Sequence, residues 1–329
     1  MKALLERLFA HETLTRDEAR QALLRITEGE VPDAQIAAFA TVFRMRPVQR
    51  QELEGFRDAL LERCRRVDLE GRPTIDIVGT GGDGKNTFNI STCAAFVVAG
   101  AGYAVSKHGN YGASSVSGSS NVLQHLGYTF TDDADALRRQ LDEAGICFFH
   151  APLFHPALKH VARVRKELGV KTFFNMLGPL VNPAQPRYQL FGTFSMELNR
   201  MYQYVLQSLG KAFSVVHTLD GYDEVSLTAP VQVRTHFSEQ RLTPHDMGLP
   251  PCQPEALSGG QSVADAARIF VSVLDNRSTP EQKNVVLANA ALAIQTIEPE
   301  AAWDDCLARA TESLESGKAL QALRRVTQG

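Results

Sequence analysis

The sequence predicts an α/β protein with a small N-terminal all-helical domain (residues 1–70) and a large domain (residues 73–329). The large domain has a mainly parallel sheet flanked by helices. Three observations carry this. Apolar residues recur at helical spacing up to about residue 70, with no strand pattern among them. After Leu69-Glu-Gly-Arg-Pro73 the pattern changes to short apolar strand, polar loop and apolar helix, repeated. The loops that follow the strands are rich in glycine and hydroxyl groups, and in open α/β sheets ligands bind there.

Leu4, Leu5, Leu8 and Phe9 give the first helix one apolar face. Thr15-Arg-Asp-Glu18 reads as a capping box opening the second, Pro32-Asp33 opens the third, and the fourth runs from about Val48 to Arg65. Strands are expected at Ile75–Val78, Ala104–Ser106, Ile146–His150 and Phe213–Thr218, with a buried helix over Ala94–Ala99 and another near Ala134–Ala144. His155–Arg165 reads as a basic helix. Phe173–Pro183 is apolar and ends in prolines, which makes 165–185 a candidate return to the helical domain. Helices are expected at Ala266–Leu274, Glu281–Ile294 and Trp303–Arg325.

Net charge is -3, so nothing global favours nucleic acid or an acidic membrane. The five cysteines are scattered without CxxC spacing, which argues for reduced thiols in a cytosol and against zinc. No apolar run is long enough to span a bilayer, and no signal peptide is read at the start, so the expected location is cytoplasmic.

The chemistry concentrates in three loops. In the first, Gly79, Gly81, Gly82 and Gly84 precede Asn86, Thr87, Asn89, Ser91 and Thr92, and then a helix begins. Backbone amides, hydroxyls and the positive end of a helix dipole converge there, as an anion site requires. Lys85 is followed by Asn86, so the loop lacks the Walker ending, and no acid stands where a dinucleotide fold needs one. A ligand-free strand-to-helix turn is the competing reading. The second loop carries Lys107, His108 and Asn110 with Ser114, Ser115, Ser117 and Ser119, and Lys107 reads as a mobile cation for phosphate. The third places Asp223 beside Glu224. Two adjacent acids beside phosphate loops require a cation, and hard oxygen donors point to Mg²⁺, with Ser91 able to complete the set. The loops together fit a ligand with two separated phosphate groups. Arg165 is suited to gripping a carboxylate in bidentate fashion.

Gly79-Thr-Gly-Gly-Asp-Gly-x-x-Thr-Phe-Asn-Ile-Ser-Thr92, Lys107-His-Gly-Asn110, Phe174-Asn-x-Leu-Gly-Pro-Leu-x-Asn-Pro183 and Asp220-Gly-x-Asp-Glu224 resemble the anthranilate phosphoribosyltransferase family over nearly the whole chain. The resemblance implies transfer of phosphoribose from phosphoribosyl pyrophosphate to anthranilate, in tryptophan synthesis, by a Mg²⁺-dependent homodimer. It also implies an association with anthranilate synthase. Carried over by position, Gly79, Gly82, Asp83, Thr87, Asn89, Ile90, Ser91, Thr92, Lys107, Ser115 and Ser119 are the implied phosphoribosyl pyrophosphate contacts. Ser91, Asp223 and Glu224 are the implied Mg²⁺ positions, and Gly79, His108, Asn110 and Arg165 the implied anthranilate contacts. The chain departs from the family pattern at Tyr111, at Gly118–Asn121, at Tyr222 and near Asp265-Ala266. A nucleoside phosphorylase-like enzyme and a non-catalytic nucleic-acid-binding paralogue are the alternatives at this point.

Overall fold

In the computed structural model, which describes residues 1–112 and 116–328, the N-terminal helices are Lys2–Phe9, Arg16–Thr27, Asp33–Met45 and Arg50–Glu62. Thr15 caps the second as the sequence predicts: its hydroxyl accepts from the Glu18 N–H while Glu18 reaches back to the Thr15 N–H. These helices form one compact unit, residues 1–67 together with 151–183. The returning segment therefore starts at Ala151, earlier than the expected 165. Its side chains explain this. Phe173 packs against Phe39, Phe43 and Phe56 with ring centroids 5.8, 5.2 and 4.3 Å away. The Arg57 Nε donates to the Leu180 carbonyl at 3.1 Å, and the Val67 N–H to that of Pro183 at 3.4 Å. The basic segment is a regular helix only over Lys159–Leu168, because Pro156 opens a short 3₁₀ turn before it.

His155 is buried in this unit, with Nε2 2.8 Å from the Val181 carbonyl. Burial depresses its pKa from 6.5 to about 4. In acid the unfolded chain takes up this proton first, so stability is lost as pH falls from 6.5 towards 4. The loss amounts to roughly 3 kcal/mol. Between pH 7 and pH 4, the urea midpoint of His155→Gln is expected to rise relative to that of the unchanged protein by the amount His155 costs. An unchanged difference would assign the acid sensitivity to other groups.

The second unit comprises residues 68–150 and 184–329. It is built on a seven-stranded sheet: β1 (Ile75–Gly79), β2 (Val105–Gly109), β3 (Ile146–His150), β4 (Tyr188–Gly192), β5 (Ala212–Thr218), β6 (Val231–Thr235) and β7 (Glu239–Leu242). The order is β3-β2-β1-β4-β5-β6-β7, parallel from β3 to β5 and antiparallel at β6 and β7. The parallel sheet was expected, but β4, β6 and β7 were not. Helix Ile90–Gly100 lies against the sheet and is buried on nearly all sides, which explains its continuous run of small and apolar residues. The last expected helix is two, Trp303–Glu315 and Lys318–Gln328, separated at Gly317, whose φ of 78° breaks the helical path. From β1 the chain runs through β2 to β3 on one side and then returns to β4 on the other. The order thus reverses between β1 and β4, and ligands in open α/β sheets bind beyond the strand ends at such a point.

Candidate active site

The first loop leaves β1 through Gly81, Gly82 and Gly84, which have φ of 64°, 73° and 77°, a region that glycine adopts without strain. It is anchored by its neighbours. The Phe88 N–H donates to the Leu257 carbonyl at 3.0 Å, Asn86 Nδ2 to the Gly260 carbonyl at 2.8 Å, and Thr87 bridges Ser258. Asn89 Nδ2 donates to the Ser117 carbonyl at 3.2 Å, tying the first loop to the second.

Asp223 and Glu224, expected from sequence as a pair, are buried side by side. Asp223 rests on two glycines that are register partners in β1 and β4, Gly79 and Gly192. A Cβ on Gly79 would lie 2.3 Å from Asp223 Oδ2, and one on Gly192 would lie 1.4 Å from the Asp223 carbonyl oxygen. Asp223 Oδ2 accepts from the Gly81 N–H at 2.6 Å, and Glu224 Oε1 from the Ser91 N–H at 2.9 Å. The start of the Ile90–Gly100 helix thus holds the Glu224 carboxylate, where the sequence suggested phosphate. A carboxylate is equally favoured by the helix dipole. Asn89 Oδ1, Thr92 Oγ1 and Thr80 Oγ1 are buried with no hydrogen-bond partner among the described residues. They are the polar atoms of this loop left over for a ligand.

Burial, then the charge of Asp83, pushes Asp223 up to about 7. Burial, then Asp223, pushes Glu224 well above the ordinary carboxylate range. Buried acids crowded in this way fit a bound cation, which would replace the protons they otherwise retain. Among the described residues no three His, Cys, Asp or Glu side chains cluster as a self-sufficient metal site. The donor set therefore suits a hard ion that also takes oxygens from substrate and water, as Mg²⁺ does.

Lys107 corrects the sequence reading. It is not a mobile cation: it is buried in β2, and its ammonium donates to the Ile77 carbonyl of β1. Burial lowers its pKa, opposed by the charges of Asp76 and Glu224. The His108 N–H donates to Asp76 Oδ1 at 3.1 Å. Asn110 is exposed; its side chain accepts from the Tyr111 N–H at 2.8 Å, and its carbonyl accepts from Ser119 Oγ at 3.4 Å. Tyr111, one of the departures from the family pattern, stands edge-on to the His150 ring at 4.7 Å. Ser115 lies outside the described residues. Arg165 belongs to the helical unit, half-buried, with its guanidinium 5.4 Å from the Phe174 ring centroid. All the other candidate residues that are described belong to the sheet unit.

Sequence reading missed Asp76, a buried carboxylate inside an apolar strand, and Gly192, a lone glycine at the end of an unrecognised strand. The acid within Ile75–Val78 was the available signal for the first. Nothing local marks the second.

A family model described as "Glycosyl transferase family, a/b domain" matches residues 71–320, and one described as "Glycosyl transferase family, helical bundle domain" matches residues 2–64. Fold and site thus define a glycosyl transferase of this two-domain class. An anthranilate phosphoribosyltransferase of Cytophaga hutchinsonii is 56% identical, covering 99% of this chain and 99% of its own. One of Bacteroides fragilis is 55% identical over 99% and 98%. The crystal structure of the anthranilate phosphoribosyltransferase of Thermus thermophilus superposes with a TM-score of 0.92 at 34% identity, covering 98% of each chain. That of Saccharomyces cerevisiae, in complex with PRPP and Mg, superposes at 0.90 with 28% identity, covering 98% of this chain and 96% of its own. The chain belongs to the anthranilate phosphoribosyltransferase family.

Proposed function

We propose that the chain transfers the 5-phosphoribosyl group of phosphoribosyl pyrophosphate to anthranilate, giving N-(5-phosphoribosyl)anthranilate and pyrophosphate. The observation that carries this reading is the buried Asp223–Glu224 pair, seated on Gly79 and Gly192 and bonded to the first loop. It makes one structure of an acidic loop and an anion loop at the reversal of the sheet. The amine of anthranilate attacks C1′ as the C1′–O bond to pyrophosphate breaks, through an oxocarbenium-like ribosyl centre, and the amine gives up one proton to solvent water as the new C–N bond forms. Asp223, Glu224 and Ser91 would hold Mg²⁺, which when bound would neutralise charge on the departing pyrophosphate. Gly79, Gly82, Asp83, Thr87, Asn89, Ile90, Ser91 and Thr92 form the loop that orients this end of the substrate, with the unpartnered Asn89 and Thr92 oxygens among its contacts. Lys107 acts from its buried post as a fixed positive charge, and Ser115 and Ser119 are the further phosphoribosyl pyrophosphate contacts that the resemblance implies. Arg165 is the residue proposed to grip the anthranilate carboxylate, and Gly79, His108 and Asn110 are the other anthranilate contacts that the resemblance implies. Residues 1–67 with 151–183 serve as the helical domain and the rest as the phosphoribosyl domain.

The homodimer, an association with anthranilate synthase and a cytoplasmic location are part of this reading through the resemblance. No helix among the described residues is long and apolar enough to cross a membrane. The test is the loss of anthranilate fluorescence on adding phosphoribosyl pyrophosphate with and without Mg²⁺. Loss only when both are present is expected; a phosphate-dependent cleavage of thymidine instead would overturn the reading. Arg165→Ala is expected to raise the anthranilate KM by roughly ten- to a hundredfold, the worth of a charged hydrogen bond, and to leave the other KM nearly unmoved. Equal changes in both would remove Arg165 from this role.

A further inference from the structure

Lys85 lies in the first loop, and its backbone N–H donates to Asp83 Oδ1 at 2.9 Å. Its ammonium stands over the face of the Tyr222 ring, 4.5 Å from the centroid. Tyr222 is 3% exposed and immediately precedes Asp223 and Glu224. The lysine stem runs along the same loop, since a Cβ on Gly221 would be 3.7 Å from Lys85 Cε, an ordinary contact. Glycines at φ of 64° to 77° around Asp83 give the first loop little stiffness of its own.

We propose that Lys85 and Tyr222 form a cation–π clasp that holds the glycine loop in register with the acidic loop. Both are then positioning residues for the pyrophosphate end of the substrate and its cation. The proposal rests on the phosphoribosyl transfer reading and deepens it. Tyr222 is one of the positions at which the chain departs from the family pattern, so the clasp is tied to this chain's own residue.

Calorimetric titration of phosphoribosyl pyrophosphate with Mg²⁺ into the full-length protein tests it without requiring turnover. Lys85→Met and Tyr222→Leu are each expected to weaken binding about three- to fivefold, the worth of a partly exposed cation–π contact. The double variant is expected to be no weaker than either single one. Tyr222→Phe and Lys85→Arg, which keep a ring face and a cation, are expected to restore binding, and the anthranilate KM is expected to stay unchanged throughout. Additive single effects, a Phe variant as weak as the Leu variant, or binding untouched by Lys85→Met would each overturn the clasp. Tyr222 is buried and Lys85 only partly so, hence the lysine variants decide the matter if Tyr222→Leu unfolds. A protein that binds phosphoribosyl pyrophosphate with Mg²⁺ but leaves anthranilate unconsumed would contradict the transfer reading while the clasp is still measured.

Discussion

Gly192→Ala is expected to lower kcat/KM by about a hundredfold or more, the scale of loss when a reacting geometry is displaced by an ångström or more. Gly192 is buried and its φ is not in the left-handed region, so the requirement is for space and not for backbone freedom. The new methyl would sit 1.4 Å from the Asp223 carbonyl oxygen, and ordinary contact begins near 3.4 Å, so this stretch of the acidic loop must withdraw by roughly 2 Å. That withdrawal breaks the 2.6 Å bond from Gly81 and separates the two loops. Overpacking of this kind also costs about 1–3 kcal/mol of stability. Gly79→Ala is expected to be milder in stability, because its methyl meets the Asp223 carboxylate at 2.3 Å, and a side chain moves more easily than main chain. Steady-state kinetics beside thermal melts would show this order. Full activity in Gly192→Ala would mean that the Asp223 seat is not needed for turnover.

Glu224→Gln and Asp223→Asn are expected to lose activity by roughly a thousandfold, since several kcal/mol of charge stabilisation depend on these carboxylates. In the absence of Mg²⁺ both variants are nevertheless expected to melt at the same temperature as the unchanged protein or higher. The neutral amides can still accept from Gly81 and Ser91 through their carbonyl oxygens, and they remove a buried like-charge conflict. The pH dependence has a definite sign. With Asp223 raised to about 7, the folded metal-free protein keeps a proton that the unfolded chain gives up near pH 4, so the stability this one group contributes declines as pH rises from 4 to 7, opposite in sign to that of His155. Added Mg²⁺ is then expected to raise the melting temperature more at pH 8 than at pH 5, where protons compete for the site. Variants that melt earlier and lose the Mg²⁺ response only because they unfold would show the pair to be structural.

The glycine loop was legible because its chemistry is local: a strand, left-handed turns that only glycine makes cheaply, then hydroxyls before a helix. The acidic pair was legible for the same reason, as two neighbouring carboxylates after a strand. The burial of Lys107 was not legible, because nothing in a lysine among glycines and serines tells that β1 and β3 enclose it on either side of β2. The strand β4 escaped notice because it is five residues long, follows a proline-rich stretch and shows no clean alternation. With it went Gly192 and the position at which the sheet order reverses.

By itself the sequence determined the helical start, the alternating strands and helices, the composition of each loop and hence the family. These follow from periodicity and turn chemistry within a few residues. Only the tertiary structure decided that Asp223 bonds to Gly81, 142 positions away, that residues 151–183 join the helical unit, and that Lys107 is enclosed in the sheet. The reason is physical. Main-chain approach and burial are set by which strands lie side by side, and that order comes from packing summed over the whole unit, which no short stretch of the chain encodes.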